Sequence, residues 1–215
     1  MSRDTTKLHP LVKMLADQLV LNAKACGYSV KITDCVRDKD EQNNLSASVT
    51  NAKYPYSYHN WGLAFDICQN DAENAYPSYT TAKGKEFWDN VGLIGERLGL
   101  TWGGRWTSPV DRPHFQLELF GTVNSLVTLY KTPDKFFNSS QYTISTPTTE
   151  INRTSSVKKV GWLQTRLNVK GFPTKIDGYL GEATLRSFNS WKQSLDGKFH
   201  LDIKVTGGEC KVLGK

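Results

Sequence analysis

The stretch Ser57-Tyr58-His59-Asn60-Trp61-Gly62-Leu63-Ala64-Phe65-Asp66 decides how the fold is read. From Leu63 onward, Leu63, Phe65 and Ile67 alternate with Ala64, Asp66 and Cys68. That period of two predicts a β-strand carrying Asp66 on the face opposite the larger apolar side chains. His59 closes the loop-like segment Asn51 to Asn60, and the small residues Gly62 and Ala64 allow close approach of backbone and ligand. Working outward, Phe115, Leu117 and Leu119 predict a further strand, with His114, Gln116 and Glu118 together on its other face. Tyr28, Val30 and Ile32 predict the first strand. Leu8, Leu11, Val12, Leu15 and Leu19 recur at helical spacing up to a stop at Gly27. A short helix is expected within Asp34 to Asn44, a longer one over Glu86 to Leu98, and a last one over Val123 to Tyr130. Tyr76 to Lys83 reads as loop and Trp102-Gly103-Gly104 as a turn. Helices and strands do not alternate regularly, so the class is α+β.

The 215 residues suffice for one medium domain or two small ones, with 38% hydrophobic and 22% charged residues and a mean hydropathy of −0.48. No apolar run reaches the ~18 residues that would suggest a membrane span, and no secretory signal is evident near the N-terminus. The chain is therefore expected to be made in a cytosol, where its four cysteines (Cys26, Cys35, Cys68, Cys210) are free thiols serving as small hydrophobes. Neither Cys35 nor Cys68 is expected to approach a metal. The formal charge of +6 is unevenly spread. Residues 1–135 hold fifteen basic and fifteen acidic residues; residues 136–215 hold twelve and six. A Ser/Thr/Asn/Pro-rich segment at the change predicts a linker over 136–156 between domains 1–135 and 157–215. The basic second unit suggests a polyanionic partner, nucleic acid or an anionic wall polymer.

Two of the four histidines stand among other metal-binding residue types. His59, Asp66 and His114 would supply three ligands to zinc and leave a position for water. Asp111, three residues before His114 in a Pro-containing turn, could sit close without ligating and shuttle a proton. Arg37 would bind a substrate carboxylate or a developing oxyanion, and Gln42 and Ser57 would hydrogen-bond substrate. Each has a plainer reading: a surface or core histidine, a capping aspartate, a solvated arginine. Spacing alone leaves both readings open, and the H-E-x-x-H pattern is absent. His9 and His200 have no ligands at useful spacing.

At these residues the chain resembles the D-alanyl-D-alanine carboxypeptidase and L-alanyl-D-glutamate endopeptidase family, which includes many phage endolysins. The resemblance is carried by Ser57-x-His59-x-x-Gly62-x-Ala64-x-Asp66 and Asp111-x-x-His114. Val36-Arg37 with Gln42, and Leu100-Thr101-Trp102-Gly103-Gly104-Arg105-Trp106, also fit. It implies a zinc D,D-peptidase-like (Hedgehog-like) sandwich with an antiparallel sheet. One Zn2+ ion would sit on His59, Asp66 and His114, with Asp111 as general base and Arg37 as transition-state stabiliser. Thr33-Asp34-Cys35 departs from the Gly-Tyr usual before the arginine.

The second unit resembles a small three-helix peptidoglycan-binding domain. The matching residues are Val160-x-x-Leu163-Gln164-x-x-Leu167, Asp177-Gly178-x-x-Gly181-x-x-Thr184 and Leu195-Asp196-Gly197. Nucleic-acid binding has no recognisable motif here. The reading implied is a monomeric phage-type endolysin held in the host bacterial cytoplasm until lysis, then acting on peptidoglycan without inserting in a membrane. It would cut the L-alanyl-D-glutamate bond. The alternatives are a D-Ala-D-Ala carboxypeptidase and a non-catalytic cell-wall-binding protein.

Overall fold

The structure, a computed structural model, describes residues 3–46, 50, 52–139, 151, 155–194, 205–206 and 209–210. The chain divides into two compact units, Met1–Thr143 and Ile144–Lys215.

The first unit is built on a four-stranded antiparallel sheet of order β1-β2-β4-β3, with β1 Val30–Asp34, β2 Ala64–Gln69, β3 Thr101–Trp102 and β4 His114–Gln116. Helices α1 (Pro10–Ala25) and α3 (Ala82–Arg97) pack on each other and on one sheet face. α1 starts at Pro10 because the proline ring suits a helix's first turn and buried His9 caps it, Nδ1 accepting from the Leu11 N–H at 3.2 Å. Its buried stripe is Leu11, Val12, Leu15, Ala16, Leu19 and Ala23. α3 begins at Ala82, earlier than the apolar spacing suggested, because Thr81 accepts from the Gly84 N–H.

Two glycines let α3 lie against the sheet. A Cβ on Gly92 would meet the Trp102 ring at 2.4 Å, and one on Gly95 would meet Phe115 at 2.2 Å. The rings beneath are layered, Phe65 on Phe115 and Phe115 on Trp102, with centroids 5.7 and 6.5 Å apart.

Three strands were expected and four are found. Thr101–Trp102 pairs with β4 where a turn was read, and β4 ends at Gln116 although Leu117 and Leu119 remain buried. α2 (Lys39–Asn44) has a reciprocal cap between Asp38 and Glu41. α4 (Val123–Tyr130) and the unforeseen α5 (Pro133–Phe137) pack together, with Phe136 set among Trp61, Phe120, Tyr130 and His9. Cys26, Cys35 and Cys68 are free, as expected; Cys35 and Cys68 are buried, whereas Cys26 is exposed and does not serve as a small hydrophobe in the core.

In the second unit, α6 (Val157–Val169) and α7 (Glu182–Ser194) share a core of Ile151, Val160, Leu163, Leu167, Leu180 and Phe188. The amide of buried Gln164 pins the Asp177-Gly178 turn. Its Oε1 accepts from both backbone N–H groups at 3.1 and 2.8 Å, and its Nε2 donates to Asp177 Oδ1 and Thr184 Oγ1. A two-stranded ladder, β5 (Val205–Thr206) with β6 (Glu209–Cys210), completes the described elements. The third helix implied by the resemblance is not among the described residues. Leu195-Asp196-Gly197, His200 and most of the expected linker lie outside them. No helix among the described residues is long and apolar enough to cross a membrane.

Candidate metal centre

One rung of the sheet assembles half the site. β1 carries a bulge between Ile32 and Asp34, after which Asp34 faces Asp66, and Asp66 in turn faces His114. The bulge re-aims the end of the strand. His59 arrives from a 3-10 turn, Tyr58–Trp61. Ser57 Oγ caps this turn at the His59 N–H, Asn60 Oδ1 accepts from the Ser57 N–H at 3.1 Å, and Gly62 closes it at φ +65°. Asn60 Nδ2 also donates to the Arg37 carbonyl at 3.0 Å, tying the turn to the arginine segment.

Three ligand-type atoms converge. His59 Nε2 lies 3.2 Å from His114 Nδ1 and 3.3 Å from Asp66 Oδ1, and the last two are 3.2 Å apart. Ligands about 2.0–2.1 Å from a tetrahedral zinc ion stand roughly 3.3 Å from one another, so this triangle has the dimensions of one face of such a site.

The outer hydrogen bonds fix which lone pairs face inward. His59 Nδ1 is 2.6 Å from the Cys35 carbonyl, which only accepts, so Nδ1 carries the proton. His114 Nε2 is 2.9 Å from Gln116 Oε1, and Gln116 Nε2 donates to Glu118 Oε1 at 2.6 Å. The Glu118 carboxylate thereby orients the Gln116 amide, and the Gln116 oxygen takes the His114 Nε2 proton. Both neutral rings then turn bare nitrogens toward a carboxylate oxygen, an arrangement that repels itself unless a cation sits among them. Burial opposes charging His114, but the Asp66 carboxylate outweighs it and raises the imidazole above its ordinary value. Burial likewise opposes ionising Asp66, and the two histidines overcome it, holding that carboxyl well below the usual range.

Asp66 Oδ2 points away from the cluster and accepts from Arg37 Nη2 at 2.8 Å, while Arg37 Nε donates to Asp34 Oδ2 at 2.5 Å. Arg37 Nη1 has no protein partner among the described residues. Asp111 is positioned by its backbone: its N–H donates to the Gly103 carbonyl at 3.0 Å, and its carbonyl accepts from the His114 N–H at 3.3 Å. Gly103 must be glycine, because a Cβ there would lie 2.4 Å from the Asp111 oxygen. Burial, and then the charge of Asp66, push the Asp111 carboxyl up, which suits a proton acceptor. A cavity of about 1160 Å³ opens onto these groups, lined by Arg37, Ser57, His59, Asp66, Asp111 and His114 among others. Tyr56, Tyr76 and Val110 stand exposed on it, and the Trp106 ring lies 5.1 Å from that of His114.

The profile of a family described as D-alanyl-D-alanine carboxypeptidase matches residues 50–117, the interval that holds His59, Asp66, Asp111 and His114. The peptidoglycan L-alanyl-D-glutamate endopeptidase CwlK of Bacillus subtilis is 35% identical, over 51% of this chain and 73% of its own. The chain belongs to this peptidase family. A second family relative, the L-alanyl-D-glutamate peptidase of Listeria phage A118, is 31% identical over 55% of this chain, which spans 41% of the phage protein's length. Among solved structures, the Serratia marcescens L-Ala D-Glu endopeptidase ChiX matches with a TM-score of 0.43 and 18% identity, over 53% of this chain and 83% of its own.

The structure brings Arg37, Ser57, His59, Asp66, Asp111 and His114 to one cavity. Gln42 is elsewhere. It is fully buried, its Nε2 donates to the Ala52 carbonyl at 2.8 Å and its Oε1 accepts from Asn60, so the expected substrate contact is replaced by a loop-holding role. Sequence reasoning gave no role to Asp34, the Cys35 carbonyl, Asn60, Gln116 or Glu118. The signal for the last two was present, since period two put them on the face of His114. The Cys35 thiol is not part of the metal-ligand cluster.

Proposed function

We propose that this chain is a zinc-dependent L-alanyl-D-glutamate endopeptidase of bacterial peptidoglycan, acting as a phage-type lytic enzyme. The observation that carries the reading is the triangle of inward lone pairs on His59, Asp66 and His114, with an unligated carboxylate, Asp111, on the same cavity. A purely structural metal site has no use for that fourth group. The names of the two sequence relatives support the bond assigned.

His59 Nε2, Asp66 Oδ1 and His114 Nδ1 would hold the ion. When bound, zinc supplies a Lewis acid that polarises the scissile carbonyl and makes water a better nucleophile. Asp111 takes a proton from the attacking water as its oxygen bonds to the carbonyl carbon, and returns it to the leaving nitrogen as the C–N bond breaks. Arg37 holds Asp66 Oδ2 and offers Nη1 to the developing oxyanion. The basic second unit would keep the enzyme on anionic wall, after release from the host cytoplasm at lysis.

Mass analysis of digested muropeptides tests the bond. New N-terminal D-glutamate is expected; release of D-alanine alone would make the enzyme a carboxypeptidase. Co-sedimentation of the full-length Asp111→Ala variant with purified walls tests wall binding apart from cleavage. No sedimentation would remove the wall-binding role.

A further inference from the structure

The exposed Glu118 carboxylate communicates with the buried cluster through a single file of hydrogen bonds. Glu118 Oε1 accepts from Gln116 Nε2 at 2.6 Å, and Gln116 Oε1 accepts from His114 Nε2 at 2.9 Å. Each contact has one sensible polarity. A carboxylate only accepts, so it draws the amide nitrogen of Gln116 toward itself and leaves the amide oxygen for His114. An amide oxygen also only accepts, so the His114 proton must reside on Nε2. Nδ1 is then the lone-pair nitrogen, and Nδ1 is the atom 3.2 Å from both His59 Nε2 and Asp66 Oδ1. Gln116 is held for this task. It pairs across the sheet with Ala64 on one side and Thr101 on the other, its side chain is buried, and it lies two positions along β4 from His114. Were the amide reversed, its nitrogen would face His114 Nε2 donor to donor. The imidazole would then have to move its proton to Nδ1, into the cluster itself.

We infer that Gln116 and Glu118 are positioning residues that fix the tautomer of His114, and so set how tightly the His59–Asp66–His114 cluster holds its metal. The inference rests on the metal-centre reading above. The hydrogen-bonded partners of metal-bound histidines commonly contribute 10–100-fold in affinity.

The test is zinc affinity of the full chain, by competition with a chromophoric chelator, together with ¹⁵N NMR of the histidine ring nitrogens in the metal-free protein under alkaline conditions. Gln116→Leu removes the acceptor and should weaken binding about 10–100-fold. Glu118→Lys offers only donors, reverses the amide, and should weaken binding in the same range with loss of the Nε2–H signature of His114. Glu118→Gln can still accept through its own oxygen and should restore the signature and most of the affinity. Glu118 is exposed, so its variants remain informative if Gln116→Leu does not fold. Parent-like zinc affinity and tautomer in Gln116→Leu and Glu118→Lys would overturn the inference while leaving the metal centre intact. A parent chain that binds no zinc would overturn the metal centre and the inference together.

Discussion

Asp34 and Asp66 face each other across the β1–β2 ladder, and one guanidinium, that of Arg37, joins their carboxylates at 2.5 and 2.8 Å. The bulge after Ile32 makes this pairing possible. It divides the labour of Asp66: Oδ2 is held by Arg37, and Oδ1 is left to the cluster.

Removing one member strands the others in a buried setting. Asp34→Ala should destabilise the first unit by about 3–5 kcal/mol, the range for breaking a buried ion pair. Arg37→Lys should fail to restore activity, because a single ammonium does not reproduce the planar fork spanning two carboxylates. Urea denaturation of Asp34→Ala checks the first expectation, and peptidoglycan turnover by Arg37→Lys the second. Stability equal to the parent in Asp34→Ala would mean the clamp is dispensable.

Asp111→Asn keeps shape and removes the proton acceptor. Zinc content should be unchanged while cleavage falls by about 10²–10⁴-fold, the usual contribution of general acid–base catalysis. Metal analysis and muropeptide kinetics on one preparation check both halves. Loss of zinc would instead make Asp111 a ligand.

Gly95→Ala should destabilise even though alanine is favoured over glycine in a helix by about 1 kcal/mol. The new methyl would overlap the Phe115 ring, and overpacking of this kind costs about 1–3 kcal/mol. Thermal unfolding decides the sign; a raised Tm would show that α3 can shift off the sheet.

Thiol reactivity should separate the cysteines. Burial first, then the charge of Asp34, push the Cys35 thiol up to about 12, and burial also raises Cys68. The thiolate is the reactive form, so at pH 8 both stay protonated and inert. Exposed Cys26 should be alkylated within minutes under native conditions, and Cys35 and Cys68 only after denaturation. Peptide mass mapping reads each site, and rapid native labelling of Cys35 would contradict its burial.

Much of the site was legible because its residues obey strand and turn periodicity. His59 at a loop end, Asp66 on alternating β2 and His114 on alternating β4 could be read from spacing, and the family resemblance assigned their roles. Asp34 was not legible, because its position depends on a bulge that no local pattern announces. The Cys35 carbonyl is a backbone group, invisible to any reading of side-chain types. Gln42 was misread because its burial depends on α2 folding over the Asn60 turn, a tertiary fact. β3 was missed since two residues carry no period, and Trp102 looked like part of a glycine turn. In the second unit, Gln164, Asp177, Gly178 and Thr184 were recognised as scattered matches, and the structure joins them in one hydrogen-bonded cluster.

We propose that the His59–Asp66–His114 cluster holds a metal that serves peptide hydrolysis. It is tested most directly by digesting purified peptidoglycan with the full chain before chelation, after chelation, and after adding zinc back, with new amino termini identified by mass spectrometry. N-terminal D-glutamate is expected in the first and third digests and none in the second. Undiminished release of D-glutamate termini from a chain shown to be stripped of metal would contradict it.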